Sequence, residues 1–408
     1  KGQFAHSSGL PVFGLVYTAV FDWDLSYFGW ALNNLLAQAT WEMTGKHCPP
    51  DKSNYLRFTK ERGNIDLREA RSLARVALLF SNQSRDWPRS TAYPPDVLGI
   101  SQLLNLKHIA HVFINENGLR PEVLDNYDLL IVSNAMALSD QNLEAIKAFA
   151  FAGGRVYLSN RVAQSNENGD TREAWPFPEI FNLQRLERAS RVVLFKGLHQ
   201  GQKTEIKPEE PLPAVQIKNL DAQLASDWLY TDPQGNQHQA LYQAQYGKGR
   251  FYYSPLLIGV PANATEIRTD AEFVFVRQEQ SESIGQQILA EIVQDSSPWT
   301  AVDVPEAVLT AIYEDQGETV LHFLNATGSQ LQPGQMVPVK APEVAFPPLS
   351  SDIRFVLPLN QAPSAAYAVS PDFQERKPIS FKRLPQGGYE FTLPASHLQA
   401  YTLVRIKP

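Results

Sequence analysis

From residue 71 to 297, short continuous apolar runs alternate with stretches of helical spacing. Arg75-Val-Ala-Leu-Leu-Phe80, His111-Val-Phe-Ile-Asn115, Asp128-Leu-Leu-Ile-Val-Ser133 and Arg155-Val-Tyr-Leu-Ser159 are runs of the first kind. Strands buried on both faces of a parallel sheet read this way. Val97–Leu106 carries helical spacing, and so does the stretch after Ser139, where Leu143, Ile146, Phe149 and Ala150 form one stripe. Ser139 stands where a helix cap belongs, and Gly153-Gly154 where a helix stops. Strands alternating with helices predict a parallel sheet with right-handed crossovers. Shorter strands are expected at Val192–Phe195, Ala214–Ile217 and Trp228–Tyr230. Tyr242–Tyr246 and Arg250–Ser254 flank Gly247-Lys-Gly249 as a tight hairpin. Ser283–Val293, with Ile284, Ile288 and Ile292 on one face, closes the unit before a Ser296-Ser-Pro298 linker.

The pattern changes after residue 298. Val308–Tyr313, Glu318–Asn325, Ile353–Leu357, Ala366–Val369, Ile379–Leu384, Tyr389–Leu393 and Gln399–Ile406 are short strand candidates, with turns at Asp315-Gln-Gly317 and Gln386-Gly-Gly388. Seven such strands predict a β-sandwich over 298–408. Residues 1–70 read differently again. Pro11–Thr18 is a buried strand, Trp30–Met43 has helical spacing through Leu32, Leu35 and Leu36, and Tyr55–Arg62 starts another helix.

Composition narrows the function classes. The chain has 408 residues, 43% hydrophobic and 19% charged, which is globular material long enough for two or three domains. A formal net charge of −7 argues against a nucleic-acid partner. No apolar run approaches the ~20 residues of a membrane helix. Cys48 is the one cysteine, so no intrachain disulfide forms and the compartment is not decided. The chain starts with Lys1 rather than Met, and the expectation is that native sequence precedes it.

Asp128-Leu-Leu-Ile-Val-Ser-Asn-Ala-Met-Ala-Leu-Ser-Asp-Gln141 and Ala148-Phe-Ala-Phe-Ala-Gly-Gly-Arg-Val-Tyr157 resemble the middle domain of family forty-two β-galactosidases and related glycosidases. Leu73-Ala-Arg-Val-Ala-Leu-Leu-Phe-Ser81 looks like that module's first strand, and Tyr246-Gly-Lys-Gly-Arg-Phe-Tyr-Tyr-Ser-Pro255 like its late hairpin. Glu318-Thr-Val-Leu-His-Phe-Leu-Asn-Ala-Thr327 looks like the start of the small C-terminal β domain. The resemblance implies a flavodoxin-like, class I glutamine-amidotransferase-like α/β domain over 71–297. It implies a β-sandwich over 298–408 and the end of a partial (β/α)8 barrel with its connecting helix over 1–70. It also implies carbohydrate as partner, and a homo-oligomer such as a trimer assembled through the α/β module.

The motifs that would carry chemistry are missing from their expected places. A glycosidase uses two carboxylates. The stretch that would hold the barrel's late nucleophile, Pro11–Thr18, has no Asp or Glu. An amidotransferase needs a thiol on a sharp strand-to-helix turn, but the turn after Arg155–Ser159 reads Ser159-Asn-Arg-Val. Ser159 lacks the Gly-x-Ser-x-Gly setting. No catalytic residue, metal ligand or cofactor site is therefore assigned. His108 and His111, three apart, straddle a helix-to-strand junction and suit ordinary structural roles better than metal. Asn263-Ala-Thr and Asn325-Ala-Thr fit the glycosylation pattern and carry little weight alone.

Two loops remain as carbohydrate-contact candidates. Asp22, Trp23 and Asp24, in Phe21-Asp-Trp-Asp24, mix acids with an aromatic as sugar sites do; the simpler alternative is a packed Trp with helix-capping Asp residues. Arg85 and Trp87 lie in the loop after the first parallel strand, and loops at such carboxyl ends bind ligands. The sequence thus predicts a non-catalytic accessory or assembly region of a glycoside-hydrolase-like protein. The alternatives are a fragment of a complete glycosidase and a carbohydrate-binding or surface-assembly protein.

Overall fold

A computed structural model of the chain describes residues 13–16, 23–42, 53–61, 70–86, 92–181, 185–199, 202–218, 226–263, 265–269, 272–275, 278–329, 336–338 and 344–408. At the start, β1 (Phe13–Val16) pairs in parallel with β2 (Ala39–Glu42), and α1 (Trp23–Leu35) connects them. Asn33 on α1 fastens the unit, its Nδ2 donating to the Gly14 carbonyl oxygen at 3.1 Å. A β-carbon at position 14 would lie 1.8 Å from the Oδ1 of that amide, so a larger residue there would push the Asn33 side chain aside. The helix expected over 30–43 is displaced toward the N-terminus. α1 ends at Leu35 because Ala37 turns the backbone through φ 51°, and Ala39–Glu42 continues as a strand. α2 (Asn54–Glu61) follows.

After the two-residue strand β3 (Arg71–Ser72), the chain alternates strand and helix. The elements are β4 (Val76–Leu79), α3 (Asn82–Asp86), α4 (Tyr93–Leu106), β5 (His111–Ile114), α5 (Pro121–Leu124), β6 (Leu129–Ser133), α6 (Asp140–Ala152), β7 (Arg155–Ser159) and α7 (Pro178–Phe181). Every residue of β4 and β6 is buried, which is why both read as unbroken apolar runs. Ser139 caps α6 by accepting from the Asn142 N–H at 3.2 Å, and Gly153 ends it at φ 134°.

An antiparallel annex follows: β8 (Arg185–Val192), β9 (Leu194–His199), β10 (Gln202–Ile206), β11 (Leu212–Lys218), β12 (Leu229–Thr231) and β13 (Gln237–Gln239). The strand expected over 192–195 is instead the junction of two longer strands, broken at Val193. The hairpin β14 (Tyr242–Tyr246) and β15 (Gly249–Ser254) returns to the main sheet, where β15 runs parallel to β7. The six-stranded order is β14-β15-β7-β6-β4-β5. β16 (Thr265–Thr269) and β17 (Glu272–Phe275) precede α8 (Glu279–Val293). Glu209 caps α8 from a distance in sequence, accepting from the Gln280 and Ser281 N–H groups at 2.6 and 3.1 Å.

The C-terminal strands are β18 (Thr300–Asp303), β19 (Val308–Asp315), β20 (Glu318–Asn325), β21 (Met336–Pro338), β22 (Ile353–Leu357), β23 (Ala365–Ser370), β24 (Phe373–Pro378), β25 (Ser380–Arg383), β26 (Tyr389–Leu393) and β27 (Tyr401–Lys407). Two antiparallel sheets, β18-β22-β26-β25 and β24-β23-β27-β20-β19-β3, enclose one core of Trp299, Ile312, Phe323, Phe355, Phe391 and Val404. Gln316 and Gly317, both at positive φ, make the turn between β19 and β20. β21 lies apart and pairs with β17.

The larger sheet is covered on its other face too. Trp30, Tyr55 and Phe58 of α1 and α2 pack on Tyr313, Val320, Leu324, Tyr401 and Leu403. His322 is fully buried, joined to the Tyr401 hydroxyl at 2.7 Å, and burial pushes its imidazole down to about 3. No helix among the described residues is long and apolar enough to cross a membrane.

Candidate functional site

In a parallel sheet every strand delivers its carboxyl end to the same edge. Here β4 lies between β5 and β6, so the chain leaves β4 in one direction and returns on the other side. Such a reversal opens a crevice at the carboxyl ends, where folds of this kind bind ligands. The three turns at that edge are tied together. Ser81, just after β4, donates to Glu116 Oε1 at 2.7 Å and accepts from the Ser84 N–H at 2.9 Å. The Gln83 N–H also donates to Glu116 Oε1, at 3.1 Å. Ser84 Oγ donates to the Ala137 carbonyl oxygen and accepts from the Ala137 N–H, both at 3.0 Å, which binds the turn after β4 to the turn after β6. After β5, Asn115 Oδ1 accepts from the Asn117 N–H at 3.1 Å.

These turns wall a cleft of about 740 Å³. Gln83, Asn115, Glu116, Asn117, Arg120, Ser139, Gln141 and Asn142 supply its polar surface, and Ile114, Leu119 and Val123 part of its floor. Glu116 is the one carboxylate among the described residues that line it. Gln83 Oε1 is shut off from solvent and has no partner among the described residues.

At the carboxyl ends of β6 and β7 lies a sealed polar layer. Asp96 on α4 is fully buried, accepting from Ser133 Oγ and, at 2.8 Å, from the Gly259 N–H. Burial raises its carboxyl to about 6, against the pull of those donors. Ser133 and Ser159 Oγ lie 2.7 Å apart, and Ser159 accepts from the Asn134 N–H at 3.1 Å. The residues after β6 and β7, Asn134 and Asn160, sit at φ 48° and 47°. A nucleophile on a sharp strand-to-helix turn would occupy such a position. Asparagine is there instead, and it tolerates left-handed backbone well. Ser133 and Ser159 are completely buried, and Ser133 meets a carboxylate rather than an imidazole, so neither hydroxyl is presented to a ligand.

One serine does meet an imidazole. Ser101 Oγ lies 2.7 Å from His111 Nε2, and His111 Nδ1 is 3.0 Å from the Ile109 carbonyl oxygen. Both residues border a second cavity, about 280 Å³, between α1, β5 and β19. Ser101 is interior to α4, where backbone N–H groups are spent on the helix, so its own turn offers no pair of donors to an oxyanion.

The residues singled out from sequence scatter. Trp23 and Asp24 form the first turn of α1, and no residue of α1 lines the large cleft. Asp22, Cys48 and Trp87 lie outside the described residues. Arg85 is exposed and grips Asp86 with Nε and Nη2 at 2.7 and 3.0 Å; only its neighbour Gln83 reaches the cleft. His108 Nε2 bonds the Val304 carbonyl oxygen at 3.1 Å. Among the described residues no three metal-binding side chains come together. Asn325 is fully buried, its Nδ2 donating to the Pro347 and Gln399 carbonyl oxygens at 2.8 Å each, so the folded chain cannot present it for glycosylation. Sequence reasoning missed Glu116, Arg120 and Asp96. The polar turn-forming run Asn115-Glu-Asn-Gly118 directly after a strand was the available signal.

No protein-family profile matches the chain, and no curated protein matches it either. Solved structures do. An α-L-fucosidase isoenzyme 2 from Paenibacillus thiaminolyticus superposes with a TM-score of 0.67 at 16% identity, over 100% of this chain and 62% of that one. A β-galactosidase from Rahnella sp. R3 gives 0.55 at 16% identity, over 92% and 51%. A GH42 β-galactosidase from G. stearothermophilus gives 0.50 at 14% identity, over 82% and 40%. The chain thus spans between 40% and 62% of the length of these structures. At such identities the likeness is one of fold, and the chain has a mixed α/β, glycoside-hydrolase-like architecture.

Proposed function

We propose that this chain is a non-catalytic accessory and assembly region of a glycoside-hydrolase-like protein that acts on carbohydrate. One observation carries the reading. The cleft at the carboxyl edge of the parallel sheet has a single carboxylate among its described residues, Glu116, already engaged by Ser81 and Gln83. Glycosidic cleavage needs two carboxyl groups roughly 5–9.5 Å apart. The strand order β5-β4-β6-β7-β15 is that of a flavodoxin-like domain, which favours a scaffold related to the glutamine-amidotransferase-like module over 71–297. In that reading the module assembles copies into a homo-oligomer such as a trimer, and the sandwich over 298–408 serves packing. Trp23, Asp24 and Arg85 stay as secondary candidates for contact with sugar, together with Asp22 and Trp87.

A second reading places a catalytic barrel in the same polypeptide. The parallel unit β1-α1-β2 favours it, because strand, helix and parallel strand are the repeat from which (β/α)8 barrels are built. The two readings agree on what these residues do by themselves.

The test is turnover. The chain, incubated with nitrophenyl galactosides, fucosides and glucosides, is expected to release nitrophenol no faster than buffer. Sustained release that survives Asp24→Ala would contradict the proposal.

A further inference from the structure

We infer that the cleft between the carboxyl ends of β4, β5 and β6 is a binding site for a neutral disaccharide. The inference rests on the carbohydrate reading above and names the place and ligand class it lacks. At about 740 Å³ the cleft falls within the roughly 300–1,000 Å³ of small-molecule sites.

Its chemistry selects the ligand. Among the described residues two charged side chains line it, Glu116 and Arg120, one of each sign, and the other polar side chains are amides and a hydroxyl. A phosphate or sugar acid would need an excess of cationic donors, and Glu116 opposes one. A flat apolar ligand would need apolar and aromatic walls, and polar side chains dominate here. A sugar ring offers neighbouring hydroxyls, each able both to donate and to accept. Planar carboxylate, guanidinium and amide groups match that pattern.

The site is also partly organised in advance. Ser81 and the Gln83 N–H hold Glu116 Oε1, while Oε2 has no partner among the described residues. A ligand hydroxyl can donate to Oε2 without disturbing the turn. Gln83 Oε1 is buried and has no partner among the described residues, an arrangement that costs free energy. Rotating that amide toward the cleft would let the oxygen accept from a ligand hydroxyl. With no aromatic platform among the described lining residues, affinity should be weak, Kd on the order of 1 mM.

The experiment titrates the full chain with lactose, cellobiose and maltose, and with methyl glucuronide and inorganic phosphate, followed by calorimetry or chemical-shift change. At least one neutral disaccharide should bind. Arg120→Ala should weaken it about tenfold, Glu116→Ala at least as much, and the two anions should not compete. Glu116 also anchors the turn after β4, so Arg120→Ala decides the matter: Arg120 is exposed and its side chain caps nothing. Binding to none of the disaccharides, binding unchanged in Arg120→Ala, or preference for glucuronide or phosphate would each overturn the inference. Turnover of aryl glycosides would sink the non-catalytic reading alone, and disaccharide binding indifferent to Arg120→Ala would sink the cleft alone.

Discussion

β6 of the parallel sheet and β20 of the sandwich both carry long buried runs, Leu129–Ser133 and Val320–Asn325, yet the two strands end differently. β6 runs out into Asn134 in left-handed backbone, and its loop helps wall an open cleft. β20 runs into Asn325, whose amide ties down the Pro347 and Gln399 carbonyls and closes the end of the sheet. Parallel strands gather all their carboxyl ends, and therefore their loops, at one edge. Antiparallel strands send alternate ends to opposite edges. The larger sandwich sheet is covered by a second sheet on one face and by α1 and α2 on the other. Similar buried strands thus yield a presenting region and a sealed one.

The sealed region should break hardest. Trp30 is 3% exposed, meets Tyr55, Phe58 and Tyr401 at ring separations of 5.4–6.2 Å, and donates from Nε1 to Thr59. Trp30→Ala should cost roughly 3–5 kcal/mol. It should lower the transition of the sandwich, read by calorimetry, while leaving saccharide binding intact.

The two regions also bury titratable groups of opposite kind. Asp96 is raised to about 6 by burial, so its contribution to stability is fully present below the ordinary carboxyl pKa and lost as pH rises through about 6. His322 is lowered to about 3 by burial, so its contribution is present above the ordinary imidazole value of ~6.5 and lost as pH falls toward 3. Asp96→Asn should remove a stability loss on the order of 1–3 kcal/mol between pH 4 and 6 in the parallel-sheet region. His322→Gln should flatten the acid limb in the sandwich. Chemical unfolding across that pH range checks both signs, and identical slopes in the two variants would erase the contrast. A smaller effect belongs to Glu209, which caps α8 through the Gln280 and Ser281 N–H groups. Glu209→Ala should cost about 1 kcal/mol, seen as faster amide exchange in the first turn of α8.

Legibility in the sequence followed the same division. The strands β4 to β7, the cap at Ser139 and the stop at Gly153 were readable because burial on both faces writes an unbroken apolar run. The edge strand β24 was not. Its run Phe373–Pro378 is mostly exposed and charged, with no alternation to find. α1 was misplaced because its buried face includes Ser26, Asn33 and Asn34, polar residues that an apolar pattern ignores. The cleft was legible only as a neighbourhood. Gln83 stands two residues before Arg85, but which side chain of that loop faces the crevice depends on α3, a helix of five residues, and on Glu116 arriving from another strand. Spacing along the chain holds no record of that meeting.

The division between a presenting edge and a sealed sandwich can be tested in one measurement, hydrogen exchange over the full chain with and without the disaccharide that binds most tightly. Slower exchange over residues 81–86, 114–120 and 139–142, with β18 to β27 unchanged, is the predicted result. Slowing confined to the sandwich strands or to α1, with that edge unaffected, would contradict it.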